Sequence, residues 1–314
     1  MAAALGRALE PAPTPLRRDV DQRDASIVPQ VRQSRRRAGV VVSRCSVEAK
    51  RHLSVAFAVL ALGGCAHARN YLGEGPRYAG SFRVADADPP FRVVSFNVKF
   101  SRHPERAVAL FRDHPQLAAA DVVALQEMNE DGVELMAREL GFDYVYYPSA
   151  VHPSADGNFG NAILSRWPIL EDRKLPLPHR SRWRKLQRAA CVAVIEAGAQ
   201  RVRVYSVHLE TPFGISRKQR EDQARAIVDD AAGSPDPVVV AGDFNSRWIG
   251  DAFVEASFDW PTRELGGTLR WFSWDHVFVR GLANVPSAAG IARDTRRASD
   301  HRPVWAELAL PRVE

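Results

Sequence analysis

The chain has 314 residues, of which 46% are hydrophobic, 25% charged and 9% aromatic. This ordinary globular composition excludes a disordered, collagen-like or disulfide-scaffold protein. The formal net charge of +6 lies within the first 64 residues, which hold 11 basic and 5 acidic side chains, because the rest of the chain has 32 of each. Net charge therefore gives no argument for a nucleic-acid partner, although a local groove could still be positive.

The amino-terminal part has two segments of different character. Residues 1–46 are rich in Pro and Arg and show no sustained apolar period, which predicts a disordered or misannotated extension. Residues 47–64 place a short basic cluster before an apolar run at 53–62, which is the build of a secretory signal peptide. The run is too short to span a membrane as a helix, which takes about 20 residues.

The end of that run resembles a bacterial lipoprotein signal. Leu62-Gly63-Gly64-Cys65 has the form in which the cysteine is lipidated and becomes the first mature residue. This resemblance implies that Met1 is a misassigned start, with the true start near Val47, and that the protein is anchored in the cell envelope, facing the periplasm or in the outer membrane. The alternative is a buried helix that ends on two glycines.

Residues 65–90 are polar and contain Gly and Pro, which predicts a linker, and 91–311 predicts one domain. Short runs rich in Val, Ile, Tyr and Phe predict strands at 91–96, 121–126, 144–147, 160–164, 190–195, 202–207, 238–241, 274–279 and 303–308. Helices are predicted at 104–119, 130–140 and 216–232, the last with a capping box from Ser216 to Gln219. Many strands with few helices indicate two packed sheets with helices outside. Cys191 is predicted to be a core residue.

Polar side chains stand at the ends of six predicted strands. Four strands are each followed by one: Asn97, Glu127, His208 and Asp243. Two strands have theirs at the start: Asp275, and the pair Asp300-His301. If the last two strands run antiparallel to the others, all six ends meet at one edge, where clefts in layered α/β folds hold ligands. Asp300 and His301 are adjacent, so both enter such a cleft only if the backbone turns there.

Spacing adds detail in Gly242-Asp243-Phe244-Asn245. Positions two apart share one face of an extended chain, so Asp243 and Asn245 are predicted to point into one site. We expect Gly242 to let a phosphate or a metal shell come close.

Together these segments resemble the signature of the endonuclease/exonuclease/phosphatase superfamily. The matching segments are Ser95-Phe96-Asn97, Leu125-Gln126-Glu127, Gly160 to Arg166, Val207-His208-Leu209, Gly242 to Asn245, Trp274-Asp275-His276 and Ser299-Asp300-His301. The resemblance implies an α/β fold, a four-layer α/β sandwich of two mixed β-sheets packed face to face with helices outside. It also implies a metal-dependent phosphoesterase. One such motif alone would be a weak signal, whereas several motifs in family order are far more specific.

The resemblance implies roles for eight residues. Glu127 is the principal ligand of Mg²⁺, or of Mn²⁺, with Asn97 beside it and Asp300 as a second carboxylate; oxygen ligands suit both ions. Asp243 holds and deprotonates the attacking water, and Asn245 donates to a non-bridging oxygen. His301 meets the phosphate as an imidazolium oriented by Asp275. His208 either steadies developing charge or helps to protonate the leaving group.

Other polar and aromatic groups have weaker claims. Asn161 and Arg188 are lesser candidates for phosphate contacts, and the basic cluster at 180–188 is either a phosphate-facing loop or a solvated turn. We expect four histidines outside the motifs to lie on the surface: His103, His114, His152 and His179. The aromatic loop at 271–274 fits a base, a membrane or the core.

The leading interpretation is a divalent-metal-dependent phosphodiesterase that acts outside the cytoplasm, on a phosphate ester, as a monomer tethered to the membrane through Cys65. A nuclease acting on DNA or RNA is the alternative within the enzymes, and the neutral body of the chain argues mildly against it. A noncatalytic surface lipoprotein is the alternative from another class. That alternative predicts the loss of a motif residue, and all are present.

Overall fold

The computed structural model describes residues 67–84, 91–155 and 157–310. The predicted extension at 1–46, the predicted signal peptide at 47–64 and Cys65 lie outside these residues, and they stay predictions. No helix within the described ranges has the length and apolar character needed to cross a membrane.

The strands divide between two sheets. In chain order they are β1 (Arg69–Asn70), β2 (Tyr78–Gly80), β3 (Phe91–Asn97), β4 (Val122–Met128), β5 (Asp143–Val151), β6 (Asn158–Ser165), β7 (Ile169–Arg180), β8 (Gln187–Ala197), β9 (Gln200–His208), β10 (Val238–Asp243), β11 (Asp275–Arg280), β12 (Ala283–Ile291) and β13 (Val304–Ala309). The first sheet has the order β1-β5-β6-β4-β3-β13-β12, with β2 beside β5, and the second has the order β11-β10-β9-β8-β7.

Both sheets are mixed, and their directions place the functional strand ends together. In the first sheet β3 and β4 run parallel, and in the second β9 and β10 do. β13 runs antiparallel to β3, and β11 runs antiparallel to β10. The starts of β11 and β13 therefore lie at the edges where β10 and β3 end, as the sequence predicts.

The helices form the outer layers. They are α1 (Pro104–Asp113), α2 (Pro115–Ala118), α3 (Glu130–Leu140), α4 (Arg217–Ala232) and α5 (Gly250–Glu255). One apolar core lies between the two sheets, a second between the first sheet and α1 to α3, and a third between the second sheet and α4 and α5. In β4, Val122 and Ala124 enter the central core while Val123 and Leu125 enter the second core, because successive side chains of a strand point to opposite faces. This confirms the four-layer α/β sandwich.

Local chemistry sets the helix ends. Ser216 and Gln219 form the predicted capping box of α4, and Gly141 ends α3 in the left-handed conformation that glycine adopts without strain. The single helix predicted at 104–119 is instead two, because Pro115 forces His114 into an extended conformation.

The sequence missed some short or irregular elements. β7, β12 and α5 were not predicted, and the described part of the segment predicted as a linker at 65–90 contributes β1 and β2, which pair with β5. That segment is therefore not a free linker: its backbone hydrogen bonds extend the first sheet.

A buried carboxylate at the start of β4 predicts a pH effect on stability. Asp121 accepts a hydrogen bond from the Arg92 backbone N–H at 2.8 Å, and burial raises the pKa of its carboxyl to about 6. Because this folded-state value lies above the ordinary 3.8, the folded chain holds the proton more tightly, and stability falls as pH rises from about 4 to 6. Asp121→Asn keeps an acceptor and removes the charge.

We expect the free energy of unfolding of Asp121→Asn, relative to the wild type, to rise by up to about 3 kcal/mol across that window. Urea unfolding at pH 4, 5, 6 and 7 measures this difference. Asp229→Asn, at an exposed position of α4, is the matched control. A difference between the Asp121 variant and the wild type that is the same at all four pH values would contradict the assignment.

Candidate active site

One buried amide joins the two sheets at the edge where the polar strand ends meet. Nδ2 of Asn97, the last residue of β3, donates to Glu127 Oε1 at 3.2 Å and to Asp243 Oδ2 at 3.0 Å. Glu127 lies in β4 of the first sheet and Asp243 ends β10 of the second. The two carboxylates therefore lie within reach of the same amide group.

The backbone turns Glu127 toward this edge. The pairing of β4 with β6 is irregular between Leu125 and Met128, and Glu127 has a φ of 59°. A positive φ strains a residue with a side chain by about 1–3 kcal/mol, and such strain concentrates at functional sites. Bulges of this kind re-aim a side chain out of the regular ladder. Here Glu127 Oε2 accepts from the Phe100 backbone N–H at 3.2 Å.

Asp243 lies at the centre of the second sheet's contribution. Its Oδ2 is 3.4 Å from His208 Nε2 and 3.7 Å from His301 Nε2, and its Oδ1 accepts from the Asn245 backbone N–H at 2.8 Å. β10 pairs with β9 so that Asp243 lies opposite His208, and with β11 so that it lies opposite Asp275. Sheet register alone thus brings three site residues together.

His301 is held by a carboxylate on its far side. Its Nδ1 lies 2.9 Å from Asp275 Oδ2, and its backbone N–H donates to Ser299 Oγ at 3.1 Å, which forms the predicted turn. Burial lowers the pKa of His301, but the charges of Asp275 and Asp243 outweigh it and raise that pKa to about 10. The imidazole is therefore a cation at neutral pH, with Nε2 facing Asp243.

His208 has the opposite electrostatic setting. Burial first, and the Arg188 charge second, hold its pKa well below the usual range. Arg188 Nη1 lies 3.0 Å from His208 Nδ1, and a guanidinium can only donate, so Nδ1 accepts and the ring proton sits on Nε2. Arg188 Nε in turn donates to Glu210 Oε2 at 3.1 Å. His208 is thus a neutral donor.

Sequence reasoning found little signal for two site residues, Arg188 and Glu210. Both are buried, and Arg188 belongs to β8 rather than to a solvated turn. No motif names Glu210, although it directly follows the segment Val207-His208-Leu209. The available signal is a general one. A basic residue stands at the start of a predicted apolar strand, and a buried charge needs a partner of opposite charge.

Asp300 lies at the rim rather than inside the site. Its side chain is 45% exposed, and its carboxylate is 2.8 Å from Lys99 Nζ. This pairing, with His301, holds the Asp300 pKa low despite burial. Lys99 reaches the rim because residues 99–101 turn with φ values of 48°, 57° and 48°. The sequence reasoning missed Lys99, two residues after Asn97.

Asn245 and Gly242 are placed differently from expectation. Asn245 Nδ2 donates to the Leu209 carbonyl at 2.9 Å, so this amide also ties the end of β10 to the chain after β9. A Cβ at Gly242 would stand 2.0 Å from the Val207 carbonyl oxygen. The glycine is therefore required by strand packing in the second sheet, rather than by a phosphate or metal shell.

The structure also places the remaining residues that were singled out in the sequence. Asn161 Nδ2 donates to the Ala189 carbonyl at 2.7 Å, which bridges the two sheets. His152 is not a surface residue: it is buried against Phe100 and Phe159, and burial lowers its pKa to about 4. Cys191 is buried in the central core, as predicted.

The donor set admits a divalent metal ion in two ways. Glu127 and Asp300 offer carboxylate oxygens, which suit Mg²⁺. Asn97 offers Oδ1, which here accepts from the Lys99 backbone N–H at 3.0 Å, while its Nδ2 faces Glu127.

The buried group of Asp243, Asp275 and His301 also has the spacing of a metal site, with ligand atoms within 4.8 Å of one another, and Asp275 Oδ1 has no hydrogen-bond partner among the described residues. A metal ion in that second group would have to displace a proton from His301, whose pKa, against the lowering effect of burial, the charges of Asp275 and Asp243 raise to about 10.

Replacing Arg188 is expected to have an effect that replacing a purely structural residue would not have. We expect Arg188→Met to lower the rate of ester hydrolysis by about 10–100-fold, as for other outer partners of active-site ligands, and to raise the pKa of His208 because a positive neighbour is lost. Histidine NMR titration reads that pKa directly.

The matched control is Arg182→Met, at an exposed position on the turn that precedes β8. An Arg188 variant that loses activity with an unchanged His208 titration would show that Arg188 acts through packing alone.

Comparison with known proteins agrees with this geometry. Residues 94–301 match the Endonuclease/Exonuclease/phosphatase family. YbhP of Escherichia coli (strain K12) is 30% identical over 262 residues, which cover 73% of this chain and 97% of YbhP.

Two solved structures share the fold. The endonuclease/exonuclease/phosphatase from Beutenbergia cavernae DSM 12333 has a TM-score of 0.60 at 21% identity, covering 70% of this chain and 71% of that one. D. rerio TDP2 complexed with single strand DNA product has a TM-score of 0.55 at 18% identity, covering 71% and 100%. The match over 94–301 contains all eight predicted site residues, and the chain belongs to the endonuclease/exonuclease/phosphatase family.

Proposed function

We propose that this protein hydrolyses phosphate esters, phosphodiesters above all, with a divalent metal ion at Glu127. The observation that carries the proposal is the Asn97 amide, whose Nδ2 holds Glu127 and Asp243 together from two different sheets. Around Asp243 Oδ2 stand one neutral and one protonated imidazole, so a carboxylate base and two N–H donors converge on one point.

The site residues divide the chemistry of ester hydrolysis among themselves. Asp243 orients the attacking water and takes its proton as the new P–O bond forms and the bond from phosphorus to the leaving oxygen breaks; the released alkoxide takes its proton from solvent. The imidazolium of His301, fixed by Asp275, donates from Nε2 to a phosphate oxygen, where negative charge is stabilised in a water-poor site. His208 steadies developing charge from Nε2, and its low pKa makes it a poor acid for the leaving group.

The metal site belongs to the same proposal. Glu127 would be the principal ligand of Mg²⁺ or Mn²⁺, with Asn97 and Asp300 as further oxygen donors. Such an ion, when bound, supplies a positive charge that polarises the phosphoryl group and stabilises the leaving oxygen. Asn245 would hold the turn after β10 in place, through its bond to the Leu209 carbonyl.

Hydrolysis of bis(4-nitrophenyl) phosphate tests the proposal. We expect turnover with added Mg²⁺ and its loss in EDTA, restored by excess Mg²⁺. Equal rates with and without the chelator would overturn it, and so would the absence of turnover with Mg²⁺ and with Mn²⁺.

Nuclease action is the second candidate. Its support is the fold shared with TDP2, whose structure holds a single strand DNA product, and against it stands the equal number of acidic and basic side chains beyond residue 64. Plasmid DNA, nucleotides and phospholipids assayed side by side decide between these substrates.

We also propose that the protein acts outside the cytoplasm as a monomer anchored through Cys65. The support is the sequence of residues 47–65 alone. Mass spectrometry of the mature amino terminus tests it: a lipid-modified Cys65 is expected, and an unmodified peptide that crosses Gly64 and Cys65 would exclude it.

A further inference from the structure

A cavity of about 640 Å³ opens beside Asn245. It lies beside the turn that follows β10, since Asn245 is in its wall and Asp243, the last residue of β10, is two residues earlier. The wall combines cationic and aromatic side chains: Arg220, Arg247, Arg263, Trp248, Trp271 and Phe272. The aromatic loop is therefore not core, since Trp271 is 75% exposed.

Arg220, on α4, is a buried cation in this wall without an acidic partner. The residue is only 6% exposed, and its Nε and Nη1 atoms have no hydrogen-bond partner among the described residues. Burial, and then the charge of Arg217, lower its pKa, while Glu210 and Glu221 counteract this only from a distance. An arginine stays protonated all the same, so its charge lacks a counter-ion.

The nearby carboxylates are committed elsewhere. Glu210 binds Arg188, and Glu221 pairs with Arg217. The third, Glu264, pairs with both Arg247 and Arg263 at the mouth of the cavity. Glu264 balances one of these two exposed arginines, so the wall as a whole is positive, and Arg220 is its buried guanidinium without an acidic partner.

A second polar group in the same wall is also unsatisfied. Ser246 is buried, and its Oγ has no hydrogen-bond partner in the described part of the chain. It follows Asn245 directly. A buried hydroxyl and a buried guanidinium without partners cost free energy, and a ligand that accepts hydrogen bonds and carries negative charge would recover it.

The guanidinium is held in place by stacking. The Trp248 ring lies 5.2 Å from the Arg220 guanidinium carbon and 4.2 Å from that of Arg217. A guanidinium is planar, and two of its N–H groups can donate to two oxygens of the same phosphate. A phosphate therefore suits Arg220 better than a ligand with a single acceptor atom.

We propose that this cavity binds a second phosphate group of the substrate, through Arg220 and Ser246, while the ester to be cleaved lies at Asp243. This inference rests on the proposed function and narrows it to phosphodiesters that carry a further phosphate. A phosphorylated nucleic-acid end and a phosphorylated lipid headgroup share that chemistry.

Two matched substrate pairs test the inference and separate the two sources. One pair is the dinucleotide TpT with and without a 5′-phosphate. The other is short-chain phosphatidylinositol with and without a 4-phosphate. For the wild type we expect kcat/KM to be at least about tenfold higher for the phosphorylated member of one pair, the effect of one or two charged hydrogen bonds.

Variants then assign that preference to the cavity. Arg220→Gln is expected to remove the preference, and Ser246→Ala to reduce it about three- to tenfold. Arg225→Gln, exposed on the same helix, should preserve it. Ser246→Ala removes one oxygen atom, so it keeps the test decisive if the Arg220 variant does not fold.

The outcomes distinguish this inference from the proposed function. Hydrolysis of bis(4-nitrophenyl) phosphate without any preference in either pair overturns the inference alone. A preference that survives both Arg220→Gln and Ser246→Ala, or that survives Ser246→Ala when the first variant is unfolded, overturns it too. No hydrolysis of any substrate overturns the proposed function and the inference with it.

Discussion

Replacing Asp243 with Asn is expected to lower kcat for bis(4-nitrophenyl) phosphate by about 10²–10⁴-fold, the contribution of a positioned general base. The amide has the shape of the carboxylate and keeps an acceptor for the Asn245 backbone N–H, but it cannot take a proton from water. Steady-state kinetics at saturating Mg²⁺ measures the loss.

The change also has a cost for the fold. Asp243 Oδ2 accepts from Asn97 Nδ2 and faces Nε2 of His208 and of His301, and the amide nitrogen of an asparagine at that place cannot accept a hydrogen bond. Loss of the charge offsets part of this cost, since burial raises the pKa of Asp243 to about 7. We therefore expect the free energy of unfolding of Asp243→Asn at pH 8 to lie within about 3 kcal/mol of that of the wild type. Asp251→Asn, at an exposed position of α5, controls for loss of charge. A variant with kcat within threefold of the wild type would remove Asp243 from the mechanism.

Replacing Glu127 with Gln is expected to raise the Mg²⁺ concentration for half-maximal activity by at least about 100-fold, beyond the 10–100-fold typical of outer-shell partners. Gln keeps one oxygen, enough for either the Asn97 amide or the Phe100 N–H, and lacks the charge that holds a divalent ion. Calorimetric titration with Mn²⁺ measures the same loss without turnover.

Two further variants bracket that result. Asp300→Asn should weaken metal affinity less, because Asp300 is half-exposed and already paired with Lys99. Glu130→Gln, three residues from Glu127 and hydrogen-bonded to Asn158, should leave it unchanged. Equal Mn²⁺ affinity for Glu127→Gln and the wild type would exclude Glu127 as a ligand.

The strands that the sequence predicts correctly are those in which burial determines which residues are apolar. β4 and β10 are buried on both faces and read as apolar runs, so their places follow from the hydrophobic effect alone. β7 and β12 are the edge strands of the two sheets, and β7 carries charges and two prolines that an edge tolerates but a predictor reads as a loop.

The site residues also fall into two groups: those that the sequence pattern predicts, and those that only the three-dimensional structure reveals. The motif residues lie at strand ends, so their convergence follows from strand direction. Lys99 reaches Asp300 only through a left-handed turn, and Arg188 reaches His208 only through the pairing of β8 with β9. These contacts depend on how the strands pair and how the chain turns, and the spacing of residues along the sequence does not reveal either.

A crystal structure of the protein soaked with Mn²⁺ and phosphate, with the ion located by its anomalous signal, tests the assignment most directly. We expect an ion within about 2.5 Å of a Glu127 carboxylate oxygen and a phosphate between that ion and His301 Nε2. An ion bound by Asp243, Asp275 and His301 with none at Glu127, or no ion at either place, would contradict it.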